Sequence, residues 1–245
     1  MGLLPYLSNE RLFKSFLPMK TYLEAQLQRR IVLSTAPSFE AYLQRAARGD
    51  YDIYQTAPHF ALLAETEYGY RRVGRFTREL NGDVIVRNDA PIRRIEDLRG
   101  QVVITPDPLA ITSFLGEQLL QEHGLIPGRD YRIMRSSSHN NAVLTVYRGK
   151  AAAALTSAAV FEHLPQEVRR ELRVLTKTRE VPHMMIMANP RLPPDDYRQI
   201  KSALLAFNRN GAGRTFFENS GYGDMGPISD EDMKRVKPFL QRLKE

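Results

Sequence analysis

Val84-Ile85-Val86-Arg87-Asn88-Asp89-Ala90-Pro91-Ile92-Arg93-Arg94-Ile95-Glu96-Asp97-Leu98-Arg99-Gly100-Gln101-Val102-Val103-Ile104 is the stretch on which the fold turns. It reads as an apolar strand, a turn, a short helix from Pro91 to Leu98 stopped by Gly100, and a second apolar strand. Moving toward the C-terminus, Thr112 or Ser113 opens a helix that runs to His123, with Gly124 as its stop. Tyr131 to Met134 is strand-like. Ser138 opens a helix to Tyr147, closed by Gly149, and Ala151 to Leu155 is a strand of small residues. Ser157 to Leu164 is helical and Leu172 to Leu175 is a strand. Strands alternating with helices predict a parallel sheet covered by helices.

The N-terminal side has the same rhythm. Ser8 caps a helix whose stripe is Leu12, Phe16, Leu23 and Leu27, with Pro18 predicting a kink or a second segment. Ile31 to Leu33 reads as a buried strand, Ser38 caps a helix from Phe39 to Arg48, Asp52 to Tyr54 is a strand, and Pro58 begins another helix. After Met184 to Met187 returns as a strand, only helices are expected: 194–207, 213–219 and 230–243, the last opened by Ser229 and Asp232 in a capping-box pattern. Those helices need a sheet to pack on, and the N-terminal unit has one. The chain is therefore expected to cross to a second lobe and come back, with residues 1–82 and 185–245 in one lobe and 83–184 in the other.

Composition sets the limits. The chain has 245 residues, 42% of them hydrophobic, which suffices for one large domain or two small ones. No run approaches the ~20 apolar residues of a membrane span, and Met1 to Leu7 is too short for a signal peptide. The absence of cysteine excludes disulfides, thiolate catalysis and thiolate metal sites. The net charge of +7 is spread along the chain, which suits attraction of small anions. No Gly-x-Ser-x-Gly, His-Glu-x-x-His or phosphate-binding glycine loop points to an enzyme, and carboxylates such as Asp195-Asp196 and Glu231-Asp232 sit at helix starts. No basic helix, zinc site or aromatic sheet motif points to nucleic acid. No cofactor is expected.

Several segments, in order, resemble the phosphate/phosphite/phosphonate-binding proteins of ABC transporters. They are Ala47-Arg48-Gly49-Asp50-Tyr51-Asp52-Ile53, Ala57-Pro58, the strand–turn–helix quoted above, Asp107-Pro108 before a hydroxyl-bearing helix start, and Ser137-Ser138-His139-Asn140-Asn141-Ala142. Val181-Pro182-His183 and Asn189-Pro190-Arg191-Leu192-Pro193-Pro194 complete the set. The resemblance implies a two-lobed periplasmic-binding-protein fold, each lobe a mostly parallel sheet flanked by helices, closing like a hinge on a solute held between them. It implies a non-enzymatic, monomeric protein in the periplasm or outside the cell, its leader removed, that delivers a small anionic solute to a membrane permease.

A helix N-terminus presents free N–H groups and partial positive charge, a seat for an oxyanion. Two such starts are candidates: one carrying Thr112 and Ser113 after the Thr105 strand end, the other Ser138, His139 and Asn140. The same residue types also serve as plain N-caps. By the resemblance His139 donates to the oxyanion, and Thr56 faces the solute from the first lobe, with its neighbour Gln55 a weaker candidate; Tyr6, just after the first strand, is read either as lining the cleft or as simply packed. His59, His123, His163 and His183 read as structural or exposed. The chain departs from the family at Ala110-Ile111-Thr112-Ser113, where Ser-Thr-Ser-Gly is usual. It departs again at Thr156, where an acid that holds a substrate amine is usual, and at Leu80, where an aromatic residue is usual. These losses argue against a plain aminoalkylphosphonate and leave phosphate, another oxyanion or a non-phosphorus organic solute. A ligand-binding sensor domain with a signalling partner is the alternative role.

Overall fold

The structure is a computed structural model that describes residues 1–136 and 138–243. Its first segment carries β1 (Gly2–Leu3), α1 (Asn9–Leu27), α2 (Phe39–Arg48), β2 (Ile53–Thr56), α3 (Pro58–Tyr68) and β3 (Arg71–Phe76). The middle segment carries β4 (Gly82–Arg87), β5 (Val102–Thr105), α4 (Ile111–Glu122), β6 (Arg132–Arg135), α5 (His139–Tyr147), β7 (Ala153–Ser157), α6 (Ala158–Glu162), α7 (Gln166–Arg170) and β8 (Leu172–Lys177). The last carries β9 (Met185–Ala188), α8 (Pro194–Leu205), α9 (Gly211–Ser220), β10 (Met225–Gly226) and α10 (Asp230–Arg242). Two compact units result: Met1–Glu79 with Val181–Glu245, and Leu80–Glu180.

Each unit has one five-stranded sheet, ordered β1-β2-β9-β3-β10 in the first and β6-β5-β7-β4-β8 in the second. The sheets are mixed, which corrects the expectation of mostly parallel pairing. In unit 1, β1 pairs parallel with β2, but β9 runs antiparallel to both β2 and β3, and β10 antiparallel to β3. In unit 2, β5 pairs parallel with β6 and β7, while β4 runs antiparallel to β7 and β8. The physical reason is common to both. The βα repeats keep their own strands in one direction, and the first strand of the segment that enters each unit fills a gap between two of them from the opposite end.

In unit 1, α1 buries Leu12, Phe16, Met19 and Leu23, spaced at helical intervals, and passes through Pro18 as a single helix. They pack with Val73, Phe76, Ile186, Leu204, Phe207 and Phe216. In unit 2 the strand residues alternate between two cores. Val84, Val86, Val103 and Leu155 share one with Leu120 of α4; Ile85, Ile104 and Ala154 share the other with Ala142, Val143 and Val146 of α5. Gly116 lets α4 lie against β7, since a Cβ there would stand 2.5 Å from Leu155 Cδ1. Gly116→Val is expected to cost about 1–3 kcal/mol by overpacking. A urea midpoint unchanged from wild type would show that α4 does not depend on this approach.

Three local expectations are corrected. Ile31 to Leu33 is no strand: only Ser34 bridges to Gly2, and Val32 is 61% exposed. The segment hangs on the sheet edge through Met1 N to Val32 O and Leu3 N to Ser34 O, so one side of it faces water. β10 supplies a strand where only helices were expected; at two residues it is too short to carry an alternating pattern. Helix α4 begins at Ile111 with Ala110 as N-cap, not at Thr112 or Ser113.

Candidate functional site

In unit 2 the parallel strands β5, β6 and β7 end at Thr105, Arg135 and Ser157, and α4, α5 and α6 start after them. The carboxyl ends of such strands are where open α/β sheets bind ligands, and the helix N-termini supply the donors. The turn before α4 is built by Asp107: its Oδ1 accepts from Leu109 N at 2.8 Å, and its carbonyl accepts from Ser113 Oγ at 2.9 Å. Ser113 is thus occupied. No side chain caps α4, and Thr112, 3% exposed, has a buried hydroxyl with no hydrogen-bond partner. A buried hydroxyl left without a partner is costly.

Helix α5 is capped in the ordinary way, Ser138 Oγ accepting from Asn141 N at 3.2 Å. Ser137, part of the motif quoted above, lies outside the described residues. His139 and Asn140 form the first turn; His139 is buried, and its Nδ1 lies 3.2 Å from Thr156 Oγ1. Burial lowers the His139 pKa to about 4, so the ring is neutral at pH 7. Thr105 is buried; its Oγ1 accepts from Arg135 at 2.5 Å, and Arg135 also pairs with Glu117 at 3.1 Å.

In unit 1, Tyr6 follows β1, and Thr56 ends β2 with its hydroxyl buried. Gln55 spends its amide internally: Oε1 accepts from Leu4 N at 3.1 Å and Nε2 donates to Met184 Sδ at 2.8 Å. The Tyr6 and Tyr222 hydroxyls are hydrogen-bonded to each other. Burial raises both phenols, Tyr222 to about 12. Phe76 stacks on Tyr222 at 4.7 Å, and the His183 ring lies 5.0 Å from that of Tyr222. His183 Nδ1 accepts from Met184 N at 2.8 Å, and burial, helped by Arg78 and Arg75, lowers its pKa to about 3. Among the described residues no cluster of His, Asp or Glu suits a metal ion, and no helix is long and apolar enough to cross a membrane.

The predicted residues thus fall into two groups. Thr105, Thr112, Ser113, Ser138, His139, Asn140 and Thr156 gather at one edge of the unit 2 sheet. Tyr6, Gln55 and Thr56 gather at the carboxyl ends of β1 and β2 in unit 1. Sequence reasoning did not single out Tyr222, which bonds Tyr6, or Arg135, which donates to Thr105.

A family model described as the periplasmic substrate-binding protein of the phosphonate ABC transporter matches residues 1–233. The chain belongs to the phosphonate-binding family of ABC-transporter substrate-binding proteins. Members of this family capture a solute outside the cytoplasmic membrane for a membrane permease. Solved structures share the fold. A binding protein component of an ABC phosphonate transporter from Pseudomonas aeruginosa superposes with a TM-score of 0.86 at 16% identity, over 99% of this chain and 86% of that one. PhnD1 from Prochlorococcus marinus, in complex with methylphosphonate, gives 0.87 at 15% identity, over 99% and 97%. XAC2383 from Xanthomonas citri, bound to chloride ion, gives 0.82 at 17% identity, over 100% and 98%.

The buried histidines of this phosphonate-family protein make its stability pH-dependent. The unfolded chain protonates both near pH ~6.5, whereas the folded sites resist until about 4 for His139 and about 3 for His183. Their effect is absent above pH ~6.5, grows as pH falls, and stops growing below the folded values; at pH 5 each costs about 2 kcal/mol. His183→Gln is expected to flatten the fall in urea midpoint between pH 7 and pH 5. An identical fall in variant and wild type would contradict a neutral, buried His183.

Proposed function

We propose that the solute is a small phosphorus oxyanion, seated at the carboxyl-terminal edge of the unit 2 sheet. The observation that carries this reading is Thr112: a buried hydroxyl without a partner, on the first turn of a helix that no side chain caps. Its neighbours have the right chemistry. In the tautomer in which Thr156 donates into Nδ1, His139 carries its proton on Nε2 and is a neutral donor; the amides of Ile111, Thr112 and Asn140 are further donors. Neutral donors on rigid helix starts bind an anion without the desolvation cost of a buried cation. The methylphosphonate bound by PhnD1 is of the proposed class. The protein acts by binding alone, as a monomer, and hands the solute to a permease.

A thermal-shift panel of phosphate, phosphite, methylphosphonate, sulfate, arsenate and organic solutes tests the reading, because a ligand of the folded state raises the melting temperature. A dose-dependent rise with a phosphorus oxyanion is expected. A rise confined to organic solutes without an oxyanion group would discard the reading and leave the fold untouched.

A further inference from the structure

Arg135 closes β6, and its guanidinium lies over the end of β5. Its Nη1 donates to Thr105 Oγ1 at 2.5 Å and pairs with Glu117 Oε1 of α4 at 3.1 Å. Thr105 Oγ1 in turn donates to the Pro106 carbonyl at 3.2 Å, so its one proton is spent. The Ser136 amide donates to the Thr105 carbonyl at 2.8 Å. Glu117 lies in the second turn of α4, and its side chain is 12% exposed against 41% for Arg135. A carboxylate this deep is costly alone, and Arg135 is its match.

This pairing leaves the sheet edge without a spare positive charge. Every donor assigned to the seat is neutral: the Thr112 hydroxyl, the His139 ring and the amides of Ile111, Thr112 and Asn140. Arg135 is answered by Glu117. Asp107 stands in the turn before α4, and Asp83 lies opposite Thr156 in the β4–β7 register, so the other ionisable groups here are acids. Lys177, opposite Asp83 on β8, and Arg179, which donates to Gln118 of α4 at 3.2 Å, are both exposed, and salt and water shorten their reach. Neutral donors hold one negative charge well. A second charge meets the acids beside buried groups, where Coulomb repulsion is stronger than in water.

We infer that Glu117, by cancelling the charge of Arg135, is a specificity-determining residue that makes the seat selective for an oxyanion with a single negative charge. Such an ion retains one acid proton or carries one esterified oxygen; the doubly charged ion of the same shape is rejected. Loss of the Glu117 charge turns Arg135 into an uncompensated cation at the seat and lifts the rejection. The inference rests on the oxyanion seat proposed above.

Isothermal calorimetry with methylphosphonate at pH 6 and pH 9, on wild type, Glu117→Gln and Arg135→Gln, tests it. The second ionisation of this ligand lies between the two pH values, while the His139 ring stays neutral at both. Wild type is expected to bind at least about tenfold more weakly at pH 9. In Glu117→Gln that ratio should fall below about threefold, and in Arg135→Gln, which leaves Glu117 uncompensated, it should exceed the wild-type ratio. The opposite signs keep the test decisive if either variant folds poorly. A wild-type affinity that holds or rises at pH 9, or a fall that persists undiminished in Glu117→Gln, would overturn the inference while leaving the oxyanion seat standing. Failure of methylphosphonate to bind at both pH values would overturn both.

Discussion

Thr112→Val combined with His139→Leu is expected to weaken binding of the oxyanion by on the order of 10²–10³-fold. Each change removes one donor from a dry site, and a lost donor costs about 1–3 kcal/mol, with 1.4 kcal/mol equal to a factor of ten. The Thr112 change carries a second signature. Valine has the same shape, and the hydroxyl it removes is buried without a partner in the unliganded protein. Thr112→Val is therefore expected to leave the unliganded melting temperature unchanged or higher while binding falls. A purely structural Thr112 would show the reverse, lower stability with unaltered binding. Calorimetry and thermal melting on the same preparation separate the two.

Phe76→Ala has the largest expected effect on stability, about 3–5 kcal/mol, a large share of the 5–15 kcal/mol typical of a folded domain. Phe76 is fully buried and sits 6.0 Å from the Phe216 ring and 6.1 Å from that of Phe217, joining the helix core to the Tyr222–His183 pair. Its loss removes the surface on which Tyr222 stacks, and with it the support of the Tyr6–Tyr222 hydroxyl pair. A cost under about 1 kcal/mol by urea denaturation would mean that the aromatic cluster repacks and does not fix this edge of unit 1.

Much of the fold is legible in the sequence. Capping residues and glycine stops located α2 and α5 closely, because Ser38, Ser138 and Gly49 act through local backbone bonds. The insertion of β4 and β9 was not legible, since strand direction depends on where the chain enters a sheet and not on the strand's own residues. Nor was the failure of Ile31 to Leu33 as a strand: its composition is that of a core strand, and only its place at the sheet edge leaves Val32 in water. For the site, residue type and motif order pointed to His139 and Thr112, but the free state of one hydroxyl and the engaged state of another cannot be read from type. Ser113 and Gln55 have the chemistry of ligand contacts and use it internally.

Backbone amide NMR during a methylphosphonate titration shows whether the oxyanion sits on the starts of α4 and α5. The amides of Ile111, Thr112 and Asn140 are expected to shift together and to saturate with the affinity measured by calorimetry. A phosphonate that binds by calorimetry yet leaves those amides unmoved would contradict that seat.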